Sequence, residues 1–177
     1  MNQHLLNQVR EINEVHTSYL NIAKLLSHEQ FNKKPAPDQW SMAQVLYHLW
    51  NAYNFSQTFM ERRIQEKKVT QTTGLKTLLK YILLQVSLAL PIKFKAPRSA
   101  ADFPAIIQFD VLEQSFAKSA QNFEKMLENF PPALEDKEIF KHPRVGYLNA
   151  SQTFSFIKAH AQHHGTQISQ LLKTIQL

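Results

Sequence analysis

The chain has 177 residues, of which 44% are hydrophobic and 19% are charged, so it is expected to form one globular domain and is not a disordered protein. It contains no cysteine, which excludes disulfides, thiolate metal ligands and a cysteine nucleophile and predicts a reducing, cytoplasmic location. The formal charge is +6, but the basic residues form no long run with interleaved aromatic residues, and no specific nucleic-acid partner is therefore predicted.

The hydrophobic pattern predicts five helices. Apolar residues spaced three and four apart place them at residues 2–27, 41–68, 75–90, 105–129 and 149–176. The second helix begins at Ser41, which forms a capping box with Gln44. The chain has only three glycines and no clear alternation of apolar and polar residues, so no strand is predicted. Residues 27–39, 92–104 and 131–148 are assigned to loops.

These elements predict an all-α fold in a single domain that spans residues 1–177. Four long helices form a bundle, the shorter helix at residues 75–90 is additional to them, and residues 92–104 form a long irregular crossover. The segment 75–92 is the most hydrophobic of the chain, but Lys76 and Lys80 interrupt it. Its apolar part is shorter than the roughly 20 residues that span a bilayer, so a buried or interface helix is predicted and no transmembrane segment.

Three histidines form a candidate metal site. His160 and His164 are four residues apart, so on a helix they project from the same face and can bind one ion. His164 falls in the apolar stripe of the last helix, which is expected to face the core. That stripe comprises Phe154, Ile157, Ala161, His164, Ile168, Leu171 and Ile175. His48 lies on an apolar face of the second helix, formed by Ser41, Val45, His48, Ala52, Phe55 and Phe59.

Two interpretations of these histidines remain open. Each alone is typical of a core histidine that is hydrogen-bonded to a neighbour. Together, a pair on one helix and an inward histidine on another predict a three-histidine site with open coordination positions. His163 is rotated about 100° from His164 and is expected at the rim. His142, in a loop, and His16, in the first helix, are expected to have packing or solvent roles.

Three segments resemble those of the DinB-like superfamily of metalloenzymes. They are Trp40–Leu49, with the sequence WSMAQVLYHL, Phe140–Leu148, with FKHPRVGYL, and His160–Ile168, with HAQHHGTQI. Their order and separation match over nearly the whole chain. The resemblance implies an up-down-down-up four-helix bundle with a metal site at mid-bundle.

The resemblance also implies the ligands and the chemistry. Carried over by position, the ligands are His48, His160 and His164, and the ion is zinc or nickel. Members of the family are often homodimers, and characterised relatives include transferases and isomerases that use low-molecular-weight thiols.

The function predicted from these features is a metal-dependent enzyme for a small-molecule substrate, of the thiol S-transferase or hydrolase type. Three neutral imidazoles leave the ion its full charge, with which it can acidify water or stabilise a thiolate. Any thiol has to be a cosubstrate because the chain has no cysteine. Four polar residues are candidates for contacts with the ligands or the substrate: Tyr47, Asn51, His163 and Gln167.

The alternative is a non-enzymatic helical bundle that binds a small molecule or a protein partner. In that case the apolar helix at 75–92, with the basic residues from Lys93 to Arg98, would form a protein interface or a membrane-surface patch.

Overall fold

The computed structural model describes residues 2–67, 69, 71–72, 74–90 and 102–175. These residues form six α-helices and one short hairpin. The helices are α1 (Gln3–Ala23), α2 (His28–Asn32), α3 (Met42–Gln65), α4 (Leu75–Ala89), α5 (Phe109–Glu128) and α6 (Ala150–Ile175). The hairpin consists of β1 (Phe140–His142) and β2 (Gly146–Leu148), and a 3₁₀ turn precedes it at Pro132–Leu134.

The long helices α1, α3, α5 and α6 pack into a bundle, which confirms the predicted all-α class. Helices α1 and α6 run in the same direction. The Gln8 side-chain amide donates to the Ser155 hydroxyl at 3.0 Å, and further along both helices the Tyr19 hydroxyl donates to the Ala161 carbonyl at 3.2 Å.

Helix α5 runs opposite to α1. The ring of His16 contacts that of Phe116 at a centroid distance of 4.8 Å, and one end of α1 places Lys24 3.6 Å from Glu113. Residue numbers that increase along α1 therefore pair with residue numbers that decrease along α5, which shows that the two helices are antiparallel.

Helix α3 runs parallel to α5. The Ser119 hydroxyl donates to the Asn54 side chain at 3.3 Å, while Trp50 and Val111, both earlier in their helices, line the same surface cavity. The four long helices are thus ordered up-down-down-up. Two successive parallel helices need a connection that returns along the bundle, and the stretch that contains α4 supplies it.

Aromatic side chains from three helices meet in the core. The ring of Phe123 lies 4.8 Å from that of Tyr53 and 5.4 Å from that of Phe154, and all three are fully buried. The Tyr53 hydroxyl donates to the Asn13 side chain at 2.7 Å, so this buried polar group has a partner.

The hairpin was not predicted, because residues 131–148 were assigned to a loop without strands. Phe140 pairs with Leu148 and His142 with Gly146, and each strand has only three residues. Strands of three residues are too short to show the alternation of apolar and polar residues that predicts a strand. Gly146 has a φ of +95°, which favours glycine.

Helix α2 was also missed, within a stretch that was assigned to a loop. It has five residues, begins with a capping box of Ser27 and Gln30, and buries Phe31. Helix α5 begins at Phe109 and not at 105. The Asn32 side chain bonds both backbone groups of Ile107, at 3.0 and 3.1 Å, which holds this stretch out of the helix.

Helix α4 covers the predicted segment, but it is not a buried helix. Leu88 is its one buried residue among those that the structure describes. The residues 91–101 of the predicted crossover lie outside the described residues. No helix in the described part of the chain is long and apolar enough to cross a membrane.

Candidate metal centre

His48 lies on the second turn of α3. The helix begins with the predicted capping box, in which the Ser41 hydroxyl accepts from the Gln44 backbone N–H at 3.2 Å. The apolar face predicted for His48 is buried only in part, because Val45 is fully buried but Phe55 on the same face is 51% exposed. Since α3 is apolar on more than one side, its core face runs instead through residues 46, 49, 53 and 60, and His48 is half-buried beside it.

Helix α6 carries the other two histidines. The predicted stripe is buried at residues 154, 157, 161, 168 and 171, but His164 itself is half-buried, which corrects its predicted core position. The neighbours of His164 differ from those of the aliphatic residues in the stripe. Its ring centroid lies 5.1 Å from that of His48 and 6.4 Å from that of Trp40, and these rings belong to the site beside the core. His160 is also half-buried.

The structure brings His48, His160 and His164 together. Their ring centroids form a nearly equilateral triangle with sides of 5.0, 5.1 and 4.9 Å. One nitrogen atom of each ring lies within 4.8 Å of the others. The Nε2 atoms of His48 and His160 are 3.2 Å apart, although 112 residues separate them in the chain.

Burial keeps two of these rings neutral. It lowers the pKa of His160 well below its usual value, and the neighbouring His164 and His48 lower it further. Burial also lowers the pKa of His164 to about 4, although the hydrogen bond that its ring donates to Gln167 acts in the opposite direction. At neutral pH these imidazoles therefore have the uncharged form that metal binding requires.

Gln167 sets the tautomer of His164. Nδ1 of His164 lies 2.9 Å from Oε1 of Gln167, and because that oxygen can only accept, Nδ1 carries the proton and donates. The lone pair of the ring is then on Nε2. Metal-binding histidines usually use their second nitrogen for such a bond.

The donor set fits a divalent ion. Two nitrogen ligands of a tetrahedral zinc ion lie roughly 3.3 Å apart, because each Zn–N bond is about 2.0–2.1 Å. The 3.2 Å between Nε2 of His48 and Nε2 of His160 matches this spacing. Within the described residues the group consists of histidines alone, without a carboxylate, so it offers three neutral nitrogen ligands.

Aromatic rings enclose this cluster, and the sequence did not place them there. Trp40 lies 5.1 Å from His48 and nearly parallel to His164, and Phe103 packs on Trp40 at 5.0 Å. On the other side Phe156 stacks on His160 at 5.6 Å. Trp40 was interpreted only as part of the start of α3, and Phe103 belongs to a loop without periodicity. Two sequence signals concern Trp40: its position next to the helix cap and its place in the segment that resembles the DinB-like superfamily.

The four candidate contact residues have different outcomes. Gln167 bonds His164, as described. Tyr47 packs on Trp50 and Phe103 at 5.2 and 6.1 Å, so it extends the aromatic wall. Asn51 is exposed.

His163 lies beside the cluster, with its ring centroid 5.8 Å from that of His164. It is half-buried, and its Nδ1 lies 3.0 Å from the Leu88 carbonyl oxygen of α4, to which it donates. His142, expected to be structural, is buried in the hairpin, where its Nδ1 accepts from the backbone N–H groups of Arg144 and Val145 at 3.2 and 3.4 Å. His16 is buried in the core.

Comparison with known proteins identifies the family of this chain. The sequence profile of the DinB superfamily matches residues 11–168. The chain belongs to the DinB superfamily. Among curated proteins, YuaE of Bacillus subtilis strain 168, which is named as uncharacterized, is 25% identical over 171 residues, which are 93% of this chain and 96% of YuaE.

Two solved structures share the fold of this DinB-superfamily chain. YfiT from Bacillus subtilis superposes with a TM-score of 0.59 at 13% identity, over 98% of this chain and 88% of YfiT. It is described as a probable metal-dependent hydrolase with an unusual four-helix bundle topology. A conserved protein from Enterococcus faecalis has a TM-score of 0.55 at 15% identity, over 99% and 95% of the two chains.

Proposed function

We propose that this protein is a metal-dependent enzyme in which His48, His160 and His164 bind one divalent ion, zinc or nickel, and that it hydrolyses a small molecule. The observation that carries the proposal is the convergence of three ring nitrogens within 4.8 Å, from two antiparallel helices. Three half-buried histidines are costly in an apolar bundle unless their nitrogens have partners. A shared ion is a partner that serves all three.

The chain prepares this site in two ways. Burial holds His160 and His164 neutral, and the bond to Gln167 orients the ring of His164. When bound, the ion supplies a Lewis acid that acidifies water or a thiol. The aromatic rings of Trp40 and Phe156 flank the histidines, where they limit access of bulk water and offer apolar contacts to a substrate.

Hydrolysis is favoured over thiol transfer by two considerations. Water needs no further binding site, whereas a thiol has to be supplied as a second small molecule because the chain has no cysteine. YfiT, which shares the fold, is described as a probable metal-dependent hydrolase. Transfer from a low-molecular-weight thiol is the second candidate, because such proteins occur in the family that the sequence resembles.

Metal content tests the proposal directly. Protein produced without a histidine tag, saturated with zinc and then desalted, is expected to retain about one equivalent by elemental analysis, since three imidazoles provide a complete protein ligand set. His48→Ala removes one of the three ligands and is expected to retain less than a tenth of an equivalent. The exposed His28 offers a matched control, because His28→Ala leaves the cluster intact and should keep the full content.

Two results would contradict the proposal. Wild-type protein that retains no metal under these conditions would leave the non-enzymatic bundle as the better interpretation. Equal zinc content in His48→Ala and in wild type would place the ion elsewhere. For the metal-loaded protein, turnover of ester, amide or phosphate substrates in water alone, compared with turnover that requires an added thiol, separates hydrolase from transferase.

The homodimer and the cytoplasmic location remain part of this proposal. Light scattering of the purified chain tests the first, and cell fractionation tests the second.

A further inference from the structure

The positive charge of the chain is concentrated in one stretch. Residues 67–101 contain seven lysines and arginines and no aspartate or glutamate, whereas the rest of the chain has thirteen basic and fourteen acidic residues. The whole formal charge of +6 thus comes from this stretch. Helix α4 lies within it.

Helix α4 packs on the bundle through one face. Leu88 is buried and Thr77, Tyr81 and Leu84 are half-buried, and these four positions share one side of the helix. The Leu88 carbonyl accepts from His163 of α6 at 3.0 Å. Helix α4 is therefore held on the bundle by a hydrogen bond to its backbone as well as by apolar contacts.

The opposite face of α4 is exposed and apolar. Its five side chains are 50–73% exposed and fall within about 100° of arc on a helix of 3.6 residues per turn. They are Leu75, Leu79, Ile82, Leu83 and Val86. We call them the α4 apolar face. An outer helix face is ordinarily polar, and a contiguous apolar patch of this kind marks an interaction surface.

Two lysines border this surface. Lys76 and Lys80 are exposed and lie one turn apart along one edge of the α4 apolar face. Their aliphatic stems can lie along apolar surface while the ammonium groups reach out to negative charge. An apolar face bordered by lysines, on a helix that contains no acidic residue, is the composition of helices that lie in a membrane interface.

We propose that the α4 apolar face docks on the surface of an anionic lipid bilayer. Helix α4 would lie parallel to the membrane plane, with its five apolar side chains at the boundary of headgroups and acyl chains and Lys76 and Lys80 at the lipid phosphates. This is attachment to one leaflet and not insertion across the bilayer. It does not depend on the proposed metal chemistry.

The charge of α4 favours an anionic lipid surface over a second copy of the chain as the partner of the α4 apolar face. Two copies joined through α4 would bring Lys76 and Lys80 of each copy together, and α4 has no acidic residue to pair with them. Like charges held close across an interface oppose its formation. An anionic bilayer instead offers both an apolar layer and a complementary negative surface.

Vesicle co-sedimentation of the full chain tests this proposal. The protein is expected to pellet with vesicles of phosphatidylcholine that contain about 30% phosphatidylglycerol, and at least tenfold less with phosphatidylcholine alone, because anionic lipid supplies the attraction. Raising the salt to about 0.5 M should weaken binding severalfold by screening.

Two variants separate the apolar and the electrostatic parts. The apolar variant combines Leu79→Ser with Leu83→Ser, and the electrostatic variant combines Lys76→Glu with Lys80→Glu. Each double variant should reduce binding to the anionic vesicles at least tenfold. All four side chains are exposed, so folding should be unaffected. The matched controls lie on other helices. Lys118→Glu with Lys125→Glu on α5 should leave binding within about twofold of wild type, apart from the general effect of net charge.

Three results would overturn the proposal. Absence of binding to the anionic vesicles would do so directly. Binding that survives Leu79→Ser with Leu83→Ser would be general adsorption of a basic protein. A dimer in light scattering that becomes a monomer in the same leucine variant would show that a second copy covers this face.

Discussion

Among single residues, Gln167 has the clearest role beside the histidines. Its side-chain oxygen accepts a hydrogen bond from Nδ1–H of His164, and Nε2 of the ring then carries the lone pair that can bind an ion. The sequence predicts Gln167 only as one of four candidates for contacts with the ligands or the substrate, because sequence spacing does not show which neighbouring group a flexible amide will bond.

Replacement of Gln167 by leucine is expected to lower zinc affinity 10- to 100-fold, because the ring of His164 loses its fixed tautomer and orientation. Competition with a chromophoric chelator measures this affinity. Gln170→Leu, at an exposed position on the same helix, is the control and should bind zinc like wild type. Equal affinities in Gln167→Leu and in wild type would show that the hydrogen bond does not support the site.

The histidines illustrate how far residue patterns lead. The spacing of His160 and His164 correctly predicted that they share a face of α6, because the helical period determines direction around an axis. The degree of burial was predicted less well. His164 was expected in the core and is half-buried, because the neighbours that pack against it come from distant parts of the chain.

At the level of elements, the packing of α1 on α6 depends on Gly165. A Cβ added there would lie 2.6 Å from the Tyr19 hydroxyl oxygen and 3.4 Å from Cζ. The same hydroxyl donates to the Ala161 carbonyl at 3.2 Å, one turn earlier on α6. Glycine therefore lets the Tyr19 ring lie close against the α6 backbone.

We expect Gly165→Ala to destabilise the protein by about 1–2 kcal/mol. The displaced Tyr19 hydroxyl loses its hydrogen bond and is overpacked, which outweighs the gain of about 1 kcal/mol in helix propensity. In the Tyr19→Phe background the overlap is absent, and the same change should stabilise by up to about 1 kcal/mol.

Urea unfolding of the four proteins in this cycle gives the coupling energy between the two positions. Purely additive effects would mean that Tyr19 turns away from Gly165 at no cost.

Elements differ in how well the sequence predicted them. The long helices carry enough turns for the period to be read, and the capping box of Ser41 correctly marked the start of α3. Helix α2 and the hairpin have five and three residues per element, and their stability comes from burial of residues such as Phe31 and Phe140 against the bundle. Such short elements follow tertiary contacts and not local pattern.

For the whole molecule, one core histidine links stability to pH. His16 is 3% exposed and packs between the rings of Tyr53 and Phe116, at 4.9 and 4.8 Å. Burial lowers the pKa of His16 from 6.5 to about 3. Below pH 6.5 the unfolded chain therefore binds a proton that the folded protein does not, and the free energy of unfolding decreases as the pH falls towards 3.

Replacement of His16 by leucine should make the protein less sensitive to acid. The contribution of His16 amounts to about 1.4 kcal/mol per pH unit, or about 2 kcal/mol between pH 7 and pH 5. Urea unfolding at pH 7 and at pH 5 measures the free energy of unfolding at each pH. The decrease from pH 7 to pH 5 should be about 2 kcal/mol smaller in His16→Leu than in wild type. His28→Gln, at an exposed site, should keep the wild-type loss, and an equal loss in all three proteins would contradict the buried neutral state of His16.

The sequence by itself determined the all-α class, the presence and order of the long helices, the neutral nitrogen character of the candidate site and the shared face of His160 and His164. These follow from local period, capping and composition. The tertiary structure decided that His48 lies 3.2 Å from His160, that Trp40 and Phe103 enclose the cluster, and that the apolar side of α4 remains exposed. The physical reason is that a helical period gives the direction of a side chain relative to its own axis, whereas the neighbour that it meets depends on how the helices pack.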